Sequence, residues 1–145
     1  MLRTKVTYSP NKRVQRAAVD AAERVGKKFG SYVMRSARQS IRKPNKSGEP
    51  ARPGQPPKDR SGALKGFILF AYDKQDRSVV IGPSLLPGRT DAPEALERGK
   101  RTVRRVFQGR KRVRKAVTYE ARPFMVPALE KRLPELLGLW SNQIK

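Results

Sequence analysis

The sequence predicts an α+β fold: an antiparallel sheet of about four strands, packed by a long N-terminal helix and a C-terminal helix. An extended Pro-rich arm and a basic hairpin complete it. Three observations predict this. Apolar residues recur at helical spacing from Asn11 to Arg42 and again near the C-terminus. Two pairs of short runs rich in β-branched and aromatic residues lie between them. A Pro- and Gly-rich stretch separates the first helix from the first strand.

The first helix, residues 11–42, carries Val14, Ala18, Ala21, Val25, Phe29, Tyr32, Val33 and Ile41 at three- and four-residue steps. Ser9 or Asn11 suits the N-cap, and Pro10 suits the entry. Gly26 and Gly30 lie four apart inside it and read as close packing or a mild bend. Such a helix is about 45 Å long, more than a small domain covers, so its excess is expected to pack on a neighbouring copy.

Residues 43–62 form the arm. Five prolines and three glycines between Pro44 and Gly62 deny it helix and central strand. An ordered arm laid over a neighbouring subunit is the favoured reading. The P-x-x-P spacing of Pro53 and Pro56 is a common chance match. The sheet region spans 63–121. Leu64–Tyr72 and Ser78–Ile81 are the best strands, joined by a polar turn. Pro93–Arg98 reads as a short helix stopped by Gly99. Thr102–Gln108 and Val113–Ala121 form the basic hairpin, 102–121, around Gly109–Arg112. The last helix, 123–142, starts at Pro123 or Pro127. Leu129, Leu133, Leu136, Leu137, Trp140 and Ile144 make its apolar stripe, and Pro134 is expected to kink or split it.

The 145 residues fit a single domain, 1–145, since typical domains run about 100–150 residues. The 34 Lys and Arg against 12 Asp and Glu give a formal net charge of +22. Like-charge excess on this scale favours expansion unless a polyanion or partner subunits offset it. The N-terminus has no apolar run, so no signal peptide is expected. The longest apolar run, Phe67–Tyr72, is far short of the roughly 20 residues of a membrane span, so a soluble protein is expected.

Cys and His are both absent. That excludes disulfides, thiolate nucleophiles, Cys/His zinc sites and imidazole general bases. The carboxylates are few. Asp91, Glu94 and Glu97 are spaced by three, and Asp73 and Asp76 sit in a turn. A Mg²⁺ nuclease needs two or three convergent carboxylates; solvation of a turn and dipole complementation are the plainer roles. No phosphate-binding glycine loop and no nucleophile elbow is present. No catalytic residue, metal or cofactor is expected.

The strongest electrostatic feature is Arg98–Lys115, where ten of eighteen residues are basic and none is acidic. Arg101, Arg104, Arg105, Arg110, Lys111, Arg112, Arg114 and Lys115 are the candidate contacts to DNA or to an acidic partner. A solvated surface hairpin is the competing reading. Phe107 is the lone aromatic there, so stacking on single-stranded bases is not supported.

Several blocks in fixed order carry a resemblance: ARPGQPP (51–57), SGALKGFILFAYD (61–73), SVVIGP (78–83), APEALERG (92–99) and ARPFMVPALEK (121–131). Over Ala51–Trp140 the chain resembles the minor structural proteins of tailed bacteriophages and prophages called neck, head–tail joining or tail-completion proteins. The long basic insert, Arg104–Lys115, departs from the family, whose members often have something shorter there.

The resemblance implies structural roles for Ser61, Gly62, Leu64, Gly82, Glu97, Gly99, Arg122, Pro123, Phe124 and Pro127. Ser61-Gly62 ends the arm and lets Leu64 start a core strand. Gly82 permits a turn, Glu97 pairs with Arg122, Phe124 plugs the core, and Pro123 and Pro127 set the start of the last helix. It further implies a non-enzymatic homo-oligomeric ring, hexameric or else dodecameric, in the virion neck, assembled in the host cytoplasm. Its partners are then the head connector or portal side, the tail terminator or tail tube, and passing double-stranded DNA. The alternative, which charge alone favours, is a nucleic-acid-binding protein of ribosomal or nucleoid type.

Overall fold

A helix, α1 (Lys12–Ser40), organises the fold. The computed structural model describes residues 11–44, 48–84, 92–109, 111–141 and 143. Asn11 caps α1, its side-chain oxygen accepting the Arg13 amide at 3.0 Å; Ser9 and Pro10 lie outside the described residues. Ala21, Val25, Phe29, Val33 and Ala37 are the buried stripe, and Ile41 extends it past the helix end. The turns before Val19 are exposed, so the excess helix length has no cover within the described chain.

A β-hairpin lies on this helix. β1 (Ile68–Asp73) and β2 (Ser78–Pro83) pair antiparallel, with Ile68 opposite Pro83 and Asp73 opposite Ser78. Alternation turns Phe70, Tyr72 and Val79 toward α1, where Gly26 and Gly30 admit them. A Cβ at Gly30 would lie 2.8 Å from both Phe70 and Val79. Close packing is thus the role of these glycines. The turn is held by Asp73, whose Oδ1 accepts the amides of Gln75 (2.8 Å) and Asp76 (3.3 Å).

The first strand begins later than predicted. Ala63–Phe67 is a short helix, α2, and Leu64 reaches the core from it rather than from a strand. Asp59 sets this helix up: its carboxylate accepts Ser61 Oγ, the Gly62 amide and the Lys65 amide at 2.9–3.0 Å. Gly62 adopts φ +77°, a left-handed value that suits glycine. At the other end, Arg38 donates to the carbonyls of Gly66 (3.3 Å) and Ile68 (2.8 Å). The chain turns helical because both ends of the turn have side-chain partners.

The four strands do not form one sheet. After α3 (Ala92–Arg98), β3 (Lys100–Gln108) and β4 (Lys111–Tyr119) pair, among the described residues, only with each other. Basic residues fall on both sides of this ribbon, so neither side can be buried against α1 as β1 and β2 are. Each strand of the hairpin also begins two residues earlier than predicted, with Lys111 and Arg112 in β4.

The arm is docked on its own chain. The Asp59 amide donates to Arg42 O at 2.9 Å, and Gly54 N donates to Ala121 O at 2.8 Å. Ala51 and Pro57 are buried. Residues 45–47 of the arm lie outside the described residues.

The last helix, α4 (Met125–Ser141), packs along α1, and Arg24 Nε donates to Gln143 just beyond its end. Pro134 does not split it. Pro134 and Glu130 are both exposed, so water can take the carbonyl that loses its N–H partner. The main cluster joins Phe29, Val33, Ala37, Ile41, Leu64, Ile68, Phe124 and Ala128. No helix among the described residues is long and apolar enough to cross a membrane.

Candidate functional site

The motif residues converge on one joint. The α4 N-terminus begins with no acid of its own in its first turn. Its free amides are met instead by Glu97 from α3. Glu97 Oε2 accepts the amides of Phe124 (2.9 Å) and Met125 (3.1 Å), and Oε1 accepts that of Val126 (2.9 Å). A carboxylate here satisfies three donors and meets the positive end of the helix dipole.

The predicted Glu97–Arg122 ion pair is therefore absent. Arg122 Nε instead donates to Ala51 O at 3.0 Å, and Nη1 donates to Glu120 O at 3.4 Å. Its backbone amide reaches Leu96 O at 2.6 Å. Arg122 thus ties the arm to the segment entering α4. An unsatisfied helix N-terminus outcompetes a nearby guanidinium for Glu97, because the amides are already fixed in place.

The other motif residues divide. Gly99 has φ +76°, and a Cβ there would meet Tyr119 O at 3.0 Å and Ala121 N at 3.2 Å, so glycine is required where β3 begins. Phe124 is 1% exposed and fills the core, as expected. Pro123 precedes it, half-buried, and Pro127 sits in the first turn of α4, where its missing N–H costs nothing. Ser61 Oγ accepts the Ala63 amide at 3.1 Å. Gly82 needs a correction: it lies inside β2 opposite Leu69, has no positive φ, and a Cβ would meet nothing within 4 Å.

The basic candidates lie on the β3–β4 ribbon. Its register puts Arg101 opposite Thr118, Val103 opposite Ala116, Arg105 opposite Arg114 and Phe107 opposite Arg112. These eight share one side, because directly opposed residues in an antiparallel pair point the same way. All eight are exposed. Arg112 lies over the Phe107 ring at 5.2 Å from its centroid. Lys100, Lys111 and Lys115 belong to the opposite side, with Val113, Val117 and Tyr119. Of Arg104, only the register position, opposite Lys115, is described. Arg110 lies outside the described residues; Gly109 beside it has φ +64°, the sign that primed hairpin turns need.

A second uncovered surface is apolar. α4 turns Ala128, Leu136 and Leu139 toward the core. The predicted stripe is mostly not on that face. Val126, Leu129, Leu133 and Leu137 form a separate outer row, with Leu133 53% and Leu137 78% exposed. The row starts at an open groove of about 290 Å³ between α1, β2 and α4, walled by Phe29, Val79, Ile81 and Met125. Asn142 and Ile144, the end of the predicted stripe, lie outside the described residues.

Among the described residues the carboxylates do not converge. Glu97 is committed to α4, Glu94 makes a long exposed pair with Arg98 at 3.9 Å, and Asp91 lies outside the described residues. No group of three acids that could hold a metal ion occurs among the described residues.

Compared with protein-family models, with curated proteins and with solved structures, the chain matches none.

Proposed function

We propose that the protein is a structural component of a tailed phage or prophage virion, forming a homo-oligomeric ring at the head–tail junction. The observation that carries this reading is the outer apolar row of α4. A helix apolar on two faces is usually buried on both, yet this one has cover on one. A second copy is the occupant that a ring supplies at every position. Six copies are expected, twelve being the alternative.

The blocks behind the resemblance also support the reading. Ala51, Glu97, Arg122 and Phe124 come from three of them and meet in one hydrogen-bonded joint. That suits a part whose work is shape and contact. The head connector or portal side and the tail terminator or tube are then its neighbours, and double-stranded DNA passes through.

Negative-stain electron microscopy and mass photometry of the purified protein at moderate salt, free of nucleic acid, test the reading. Closed rings of defined mass are expected. A monomer at micromolar concentration that binds nucleic acid would favour the ribosomal or nucleoid-type alternative, which the ribbon's charge supports.

A further inference from the structure

We infer that the Arg101/Arg105/Arg112/Arg114 side of the β3–β4 ribbon is a binding surface for the phosphate backbone of double-stranded DNA, without sequence preference. The inference rests on the ribbon and does not require the ring.

The ribbon is built against its own electrostatics. Arg105 stands opposite Arg114, and Arg104 stands opposite Lys115. Directly opposed like charges destabilise a strand pair. An isolated two-stranded hairpin is already marginal in water. Yet among the described residues β3 and β4 have no third strand, and the ribbon carries no acid from Lys100 to Tyr119. A dense anion is the partner that removes this penalty.

The two sides differ in kind. One side carries four arginines and no lysine, while the other carries Lys100, Lys111 and Lys115, with Arg104 at the register position opposite Lys115. Guanidinium presents a planar fork that matches phosphate oxygens in pairs; ammonium is a point charge. The arginine side also carries Val103, Ala116 and Thr118. Phe107 is 70% exposed and already faces Arg112, so it is not a free platform for an unpaired base.

Dimensions favour a duplex. Nine residues per strand at about 3.3 Å give a ribbon about 30 Å long. DNA carries one charge per about 1.7 Å of axis, and its major groove admits a two-stranded ribbon. The deep, narrow major groove of duplex RNA does not. A second copy of this chain is a poor match, because it offers 12 acids among 34 bases.

The test measures binding of the full chain to a fluorescent 20-base-pair duplex of arbitrary sequence across a salt series. The wild type is compared with R101Q/R105Q/R112Q/R114Q and with K12Q/R13Q/R16Q/K28Q, which removes the same charge from exposed positions of α1. All eight residues are exposed, so both variants should fold, and circular dichroism checks this. The ribbon variant is expected to lower the slope of log K against log salt by about 4, roughly one for each lost phosphate contact. The α1 variant is expected to change it by less than about 1. Equal losses in both variants would mean diffuse attraction and overturn the proposal. So would a wild type that ignores DNA, or polyglutamate competing as well as unlabelled duplex, which would point to an acidic protein. Rings that fail to bind DNA would sink this proposal alone; DNA binding through the ribbon by a monomer would sink the ring alone.

Discussion

Glu97 and Phe124 are 27 residues apart, yet the carboxylate of one accepts the backbone amide of the other at 2.9 Å. The bond joins the end of α3 to the start of α4, and the Phe124 side chain drops from the same point into the core. The cap and the core plug therefore hold one another in place.

Replacing Glu97 by Ala should destabilise the fold by about 2 kcal/mol, since it strips a charged cap from three amides. Gln, which keeps an acceptor but no charge, should cost less. The double reversal E97R/R122E should not recover stability, because the two side chains serve different partners. Thermal or urea unfolding measures all three. Recovery in the double reversal would restore the ion pair that the structure replaces.

Replacing Phe124 by Ala should cost about 3–5 kcal/mol in urea unfolding, the usual range for a buried aromatic. A loss under about 1 kcal/mol would show that the pocket closes over the cavity or that the side chain is not core.

Gly30 and Gly138 are both helical glycines, and Ala should act on them with opposite sign. At Gly30 the new Cβ meets Phe70 and Val79 at 2.8 Å, so overpacking by about 1–3 kcal/mol outweighs the gain of about 1 kcal/mol in helix propensity. At Gly138 nothing lies within 4 Å, so the propensity gain of about 0.5–1 kcal/mol should appear alone. Melting temperatures of the two variants, one lowered and one raised, check the pair.

How much of this was legible in the sequence depends on where the deciding interaction sits. Helical spacing located α1, because its stripe from Ala21 to Ile41 is local. The same logic failed on α4, where Leu133 and Leu137 satisfy the spacing yet face outward. Periodicity shows that a face is apolar but not which of two apolar faces meets the core. Leu64–Phe67 reads as strand from composition, but Asp59 and Arg38 bind its amides and carbonyls and make it helical. Asp59 carried no motif of its own; its signal was an acid two and three residues before Ser61-Gly62, the spacing of a side-chain-capped turn. The ribbon's charge was plain in the sequence, but the gathering of four arginines on one side without a lysine needed the register.

Asp59 also gives a pH dependence. Partial burial works against its charged form, but hydrogen bonds from the Lys65 amide, Ser61 Oγ and the Gly62 amide outweigh that and hold its carboxyl below the ordinary 3.8. A carboxyl with a depressed folded pKa contributes stability that is fully present above 3.8 and is lost as pH falls through the lower folded value. D59N should therefore be less stable at neutral pH, and its stability should fall less between pH 5 and pH 2 than the wild type's. Parallel acid limbs for the two proteins would show that Asp59 is not the group responsible.

The outer row of α4 makes the sharpest demand on assembly. Leu133 and Leu137 touch water in the single chain, so L133Q/L137Q should shift unfolding by no more than about 0.5 kcal/mol. In a ring these two leucines are covered, and the same change buries polar amides in an apolar seam. Oligomers should then dissociate, read as a loss of the high-mass species in mass photometry at fixed concentration. Leu136 lies against the core, and L136A is the matching control. It should lower stability by about 2 kcal/mol or more while leaving the mass of the folded fraction unchanged. If L133Q/L137Q keeps the oligomer intact, the row is not the seam, and the ring must close through another surface.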